Sequence, residues 1–125
     1  LTRKKHLQSH TFHTETEFGH LYVIISEDND NPYELFAIIG KSGDEIAAIT
    51  EAIGRLVSLC FKSSIDIVEV YKQLHGIVGK SKWTSEGNVL SIPDGVARCI
   101  RYYMESKNIE IKDEDSKTIG NNDEV

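Results

Sequence analysis

The hydrophobic period of this chain changes once, near Asp44, and that change limits what it can fold into more than any composition figure does. Before it, Leu21 to Ser26 reads LYVIIS and Tyr33 to Ile39 reads YELFAII, two nearly continuous apolar runs rich in β-branched and aromatic residues. Runs of this kind suit strands with at least one well-covered face. The polar stretch between them, Glu27 to Asn31 ahead of Pro32, reads as a solvated turn, so a hairpin is the simplest connection. Thr11 to Phe18 (TFHTETEF) supplies a third candidate strand, which matters because a bare hairpin is not stable in water. After Asp44, Ile46, Ile49, Ile53, Leu56, Val57 and Cys60 recur at three- and four-residue steps and predict one apolar stripe on a long helix. A second helix is expected from Ile65 to Leu74, capped by Ser63 or Ser64, with Ile67, Val70, Tyr71 and Leu74 inward and Gly76 as its stop. A third is announced by Ser91 as N-cap, Pro93 in the first turn and Asp94 completing the capping pattern; it carries Val96, Ala97, Ile100, Tyr103 and Met104. Strands followed by helices predict an α+β domain: a small antiparallel sheet of two to three strands, then three helices packed on one face.

Length and charge bound the function. The 125 residues suffice for one modest core and exclude a large self-contained catalyst. The net charge of −6 is uneven, because residues 105–125 hold seven acids and three lysines, leaving a nearly neutral body. The expected organisation is an N-terminal arm over 1–10, a domain over 11–104 and an acidic disordered tail or linker over 105–125. No apolar run approaches the ~20 residues of a membrane span, and Cys60 and Cys99 form no disulfide framework. A soluble protein of the cytoplasm is therefore expected, without membrane partners. The chain opens on Leu1, so a C-terminal piece cut from a longer protein is at least as natural a reading as a whole one.

Several segments invite chemistry. Gly40-Lys41-Ser42-Gly43 precedes a helix, where backbone N–H groups attract anions. A P-loop needs glycine where Leu35 stands, and Asp44 and Glu45 already occupy the positive helix end, so a strand-to-helix turn is expected. Glu27, Asp28 and Asp30 lack the spacing of a calcium loop, and His6, His10, His13 and His20, with Glu15 and Glu17, lack a recognised ligand pattern. No metal site is expected. Cys60 reads as an inert core thiol, and neither Cys99 nor His75 has a catalytic partner in sequence, so no triad is assembled. Lys80, Lys82 and Trp83, extended by Arg98 and Arg101, combine charge with an aromatic platform. These five are the candidate ligand or partner contacts. The acidic balance and the lack of any nucleic-acid motif make nucleic acid an unlikely partner and favour Trp83 closing the core beneath a polar loop, 79–88.

Taken in order, GHLYVIIS, ELFAIIGKSG, EAIGRLVSL, QLHGI and VLSIPDGVAR resemble the TSCPD domain, over about Thr11 to Met104. That domain occurs near the C-terminus of adenosylcobalamin-dependent ribonucleotide reductases and in small free-standing proteins. The resemblance implies that Gly40, Lys41, Ser42 and Gly43 form the family's strand-to-helix turn and that Gly54 and Arg55 lie in its main helix. It also exposes two departures. The Thr-Ser-Cys-Pro-Asp signature reads Leu90-Ser91-Ile92-Pro93-Asp94, and the family's other cysteine position is Gly79. Any metal or redox role of those thiols is expected to be absent. The implied function is a non-catalytic accessory domain of such a reductase, binding no cofactor itself, with adenosylcobalamin in the parent enzyme. The alternative is a free-standing module binding a protein or a small anionic ligand. Expected partners are the rest of the reductase or further copies of the chain in a homo-oligomer.

Overall fold

The two β-branched runs pair as the expected hairpin. In the computed structural model, which describes residues 3–111, β1 (Gln8–Thr16), β2 (Gly19–Asp28) and β3 (Asn31–Ile39) form an antiparallel sheet in the order β1-β2-β3. Then come α1 (Asp44–Lys62), α2 (Ile67–Leu74), a short hairpin of β4 (Lys82–Thr84) and β5 (Gly87–Val89), and α3 (Ile92–Ser106). The α+β class stands: a small antiparallel sheet followed by three helices.

The second hairpin turn of the sheet is shorter than expected, and the first falls at Glu17 and Phe18 rather than at Gly19 and His20. Asn29 and Asp30 alone form the second, both with φ near +60°, a conformation Asn and Asp tolerate and two-residue hairpins require. Glu27 and Asp28 therefore belong to β2 rather than to a solvated loop, and Glu27 is buried. Pro32 sits opposite Glu27 beside a bulge, where a missing N–H does least harm. At the first turn, Thr16 Oγ donates to Gly19 O at 2.8 Å and accepts from Phe18 N–H at 3.1 Å.

One sheet face builds the core. Leu21, Val23 and Ile25 of β2, Leu35 and Ile39 of β3 and Val96, Ile100, Tyr103 and Met104 of α3 belong to one buried cluster. Helix α2 adds Ile67, Val70 and Tyr71. Helix α1 turns most of the predicted stripe inward, with Val57 buried and Ile46, Ile53 and Cys60 packed against the core, but the face is rotated toward Thr50 and Gly54. Thr50, Gly54, Val57 and Phe61 are its buried residues, while Ile49 is 48% and Leu56 63% exposed. The reason is backbone proximity: a Cβ at Gly54 would lie 3.1 Å from Leu35 O and 3.2 Å from Ala37 N. One turn on, Ser58 Oγ accepts from Leu35 N–H at 2.8 Å and donates to Leu35 O at 3.0 Å. Helix α1 thus satisfies polar groups along β3 that a bare edge strand exposes, and the helix face is set by that contact rather than by its largest apolar residues.

Three boundaries also move. β1 begins at Gln8, inside the expected arm. The cap of α2 is Asp66, whose carboxylate accepts from Val68 N–H at 3.0 Å; Ser63 instead caps the C-terminus of α1, and Ser64 takes φ +64° in the link. The tail expected from Glu105 starts later, since α3 runs to Ser106 and Ile109 and Ile111 pack against the core. The disorder expected beyond falls outside the described residues.

Candidate functional site

Helix α3 organises the polar groups most suited to binding. Its N-cap forms as the sequence predicts, with Ser91 Oγ accepting from Asp94 N–H at 3.1 Å and donating to Ile77 O at 2.6 Å. Asp94 does more than complete a cap. Its Oδ1 accepts from Gly76 N–H at 2.8 Å and its Oδ2 from Leu90 N–H at 3.0 Å, so one buried carboxylate ties the end of α2 and the strand after the hairpin to α3. Gly76 reaches it with φ +84°, a conformation that favours glycine.

Arg98 and Arg101 diverge from this point. Arg98 donates to the carbonyls of Glu86 at 2.7 Å and Asn88 at 3.2 Å and so pins the β4–β5 hairpin. Arg101 donates to the Tyr71 hydroxyl at 2.7 Å and stacks on its ring, and Tyr71 stacks on His75 with centroids 4.9 Å apart. His75 Nδ1 lies 3.7 Å from Asp94 Oδ1. The five sequence candidates are therefore not one patch. Lys80 is exposed, Lys82 half-buried on β4, and Trp83 is 76% exposed, so it does not close the core; Val89 and Ile92 do that under the hairpin. Arg98 and Arg101 instead line a niche of about 130 Å³ with His75, Asn88, Leu90 and Asp94. His75, Asn88 and the bridging role of Asp94 were missed because their partners are distant in sequence. The hairpin was missed too, although a signal existed: Thr84 and Gly87 repeat the Thr-x-x-Gly turn of residues 16–19, with Thr84 Oγ donating to Gly87 O at 2.8 Å.

The other candidates resolve differently. Gly40 to Gly43 form a strand-to-helix turn, with Gly40 N–H donating to His20 O at 3.0 Å, Lys41 at φ +54°, and Asp44 and Glu45 in the first turn of α1. Pro93 lies in the first turn of α3. Among the described residues no group of three or more His, Cys, Asp or Glu side chains is placed to hold a metal. His13 and His20 instead hydrogen-bond to each other at 2.8 Å. Cys99 is wholly buried, and burial pushes its thiol up to about 12 despite neighbouring Arg98. It is protonated and unreactive at neutral pH. Cys60 is half-buried in the groove between α1 and α2.

A second buried cluster lies toward the other end of α3. Glu27 accepts from the Tyr103 hydroxyl at 2.6 Å and pairs with Lys107 Nζ at 2.8 Å, and His10 Nε2 stands 3.3 Å away. Burial alone would raise the Glu27 pKa, but the hydrogen bonds from Lys107 and Tyr103 and the nearby His10 outweigh it and hold the carboxyl below its ordinary range.

These features define a small α+β domain whose built polar features are a closed carboxylate cluster and an open basic niche. The TSCPD domain matches residues 2–104, and the chain belongs to the TSCPD domain family. Searches of curated proteins and of solved structures return no match. The two positions to which the resemblance assigns cysteines, 79 and 92, lie near one another: Gly79 N–H donates to Leu90 O at 2.9 Å, and a Cβ at 79 would stand 3.2 Å from the Cβ of Ser91, the residue before Ile92.

Proposed function

We propose that the chain is a non-catalytic accessory domain of an adenosylcobalamin-dependent ribonucleotide reductase, working by contact with the rest of that enzyme in the cytoplasm. The TSCPD match over residues 2–104 carries this reading. Reduction of the ribonucleotide belongs to the parent enzyme. The surface supports a contact role, because Phe36 and Ile38 on the outer sheet face and Leu56 and Leu59 on α1 are large, apolar and exposed. The same surfaces suit self-association, which sedimentation at high micromolar concentration checks; a clean monomer there counts against it.

Determining the reading frame upstream of Leu1 tests the proposal. An in-frame reductase barrel is the expected outcome, and a start codon immediately before Leu1 sinks it. The isolated chain is expected to form no deoxyribonucleotide when given adenosylcobalamin and a dithiol. The second reading, a free-standing binding module, is favoured by one observation, the convergence of Arg98 and Arg101 on a niche that supplies neither with a carboxylate ion pair among the described residues.

A further inference from the structure

We propose that two copies of this chain pair through the outer edge of β1, antiparallel about Phe12, joining their sheets into one with both α3 helices on the same face. The inference deepens the self-association reading above by naming its interface, and rests on that reading.

The hydrogen bonds of the sheet fix which groups of β1 are free. Leu35 N–H donates to Ser58 Oγ and Leu35 O accepts from it, so both groups point away from β2. Ile25, opposite Leu35, therefore turns its own N–H and C=O toward β1. His20 has the other parity, because its carbonyl accepts from Gly40 N–H on the β3 side. In the unbroken β1–β2 register, His10, Phe12 and Thr14 are thus the residues bonded to Ile25, Val23 and Leu21. The backbone groups of Ser9, Thr11, His13 and Glu15 point outward, and all four residues are exposed. No described strand pairs with that side of β1.

The two edges of the sheet differ. Gly54 and Ser58 bring α1 against the backbone of β3 and close that edge. β1 has none of the devices that keep an edge from pairing: over Gln8–Thr16 there is no proline, no lysine and no bulge.

The order of residues on β1 selects a second copy as the occupant. Antiparallel pairing must match outward residues with outward residues. Centred on Phe12, it sets Ser9 against the partner's Glu15 and Thr11 against the partner's His13, so every outward group is used and no like charges meet. Centred on Thr11 it leaves Glu15 out, and centred on His13 it leaves Ser9 out and sets His13 against itself. The Phe12 register also places the two Phe12 rings opposite each other in a non-hydrogen-bonded pair, where side chains approach most closely. Phe12 is half-buried, edge-on to Tyr103 with centroids 6.3 Å apart, and an aromatic cross-strand partner covers more of it favourably. Because β3 is already covered, the pairing closes at a two-fold dimer.

The test combines sedimentation with amide hydrogen exchange by NMR on the full 125-residue chain. A dimer is expected at high micromolar concentration, with exchange at the Ser9, Thr11, His13 and Glu15 amides slowing as the dimer forms. A monomer there overturns the proposal together with self-association. A dimer whose four amides exchange as fast as in the monomer overturns the β1 edge and leaves self-association standing. Thr11→Pro removes one outward N–H and no bond to β2, and is expected to weaken the dimer roughly tenfold or more. Ser9→Glu, which faces the partner's Glu15 with a like charge, is expected to weaken it too, and adding Glu15→Lys to restore it; this pair serves if Thr11→Pro does not fold. Leu56→Ser, on the exposed face of α1, is expected to leave the dimer intact. Dissociation by Leu56→Ser but not by a folded Thr11→Pro, or no recovery on adding Glu15→Lys, overturns the proposal. None of these results touches the reductase reading, which the upstream reading frame decides.

Discussion

The two polar clusters on α3 are built on opposite principles. Around Glu27 each charge meets an opposite one: a buried carboxylate accepts from Tyr103, pairs with Lys107 and stands beside His10. Around Arg98 and Arg101 the charges meet carbonyls and a phenol, and two guanidinium nitrogens are left over. The first arrangement closes on itself and fastens the C-terminal end of α3 to β2. The second fastens a hairpin and α2 to the same helix through carbonyl and phenol acceptors. The first network satisfies its charges from within, whereas the second leaves two buried guanidinium nitrogens without a partner among the described residues.

The comparison breaks most visibly at Glu27. Glu27→Ala strips the carboxylate from Tyr103 and Lys107 and is expected to cost about 3–5 kcal/mol in urea unfolding; a loss below about 1 kcal/mol would mean the closed cluster is not structural. Tyr103→Phe removes one hydrogen bond to a charged acceptor and should cost about 1.5–3 kcal/mol. Its neighbour in the open cluster behaves differently: Arg101→Gln is expected to change stability by no more than about 1 kcal/mol, read from the same urea curves.

Acid supplies a smaller effect that sharpens the same contrast. Glu27 and Glu34 both have folded-state pKa values below the ordinary 4.5, Glu34 because Arg3 and Lys62 outweigh its burial. A carboxyl depressed on folding binds its proton more readily in the unfolded chain. The stability it adds is complete above the unfolded value near 4.5 and drains away as pH falls through the lower folded value. Urea midpoints are thus expected to drop below about pH 4.5, and the drop should be shallower in Glu27→Gln. An identical slope in that variant would remove Glu27 from the account.

Much of the fold was legible because its signals are local. The two apolar runs, the change of period at Asp44, the Ser91 cap and the turn at Gly40 to Gly43 each follow from residues a few positions apart. The face of α1 was legible in part: Ile46, Ile53, Val57 and Cys60 pack on the core as expected, whereas Ile49 and Leu56 do not, because Gly54 and Ser58 meet the backbone of β3, a strand some twenty residues earlier. The candidate site was half legible. Arg98 and Arg101 stand out as a charged pair on one helix face, but Trp83 points to solvent, and no pattern in sequence joins His75 and Asn88 to them.

By itself the sequence determined the order of the three sheet strands and three helices, the family and the uneven charge, since propensity, capping and hydrophobic period act between near neighbours. Only the tertiary structure decided which charges are satisfied. Glu27 meets a hydroxyl on Tyr103, and Asp94 binds the amide of Gly76, across gaps of 76 and 18 residues. Whether a buried polar group has a partner depends on what folding brings beside it, and that is where the closed cluster and the open niche part ways.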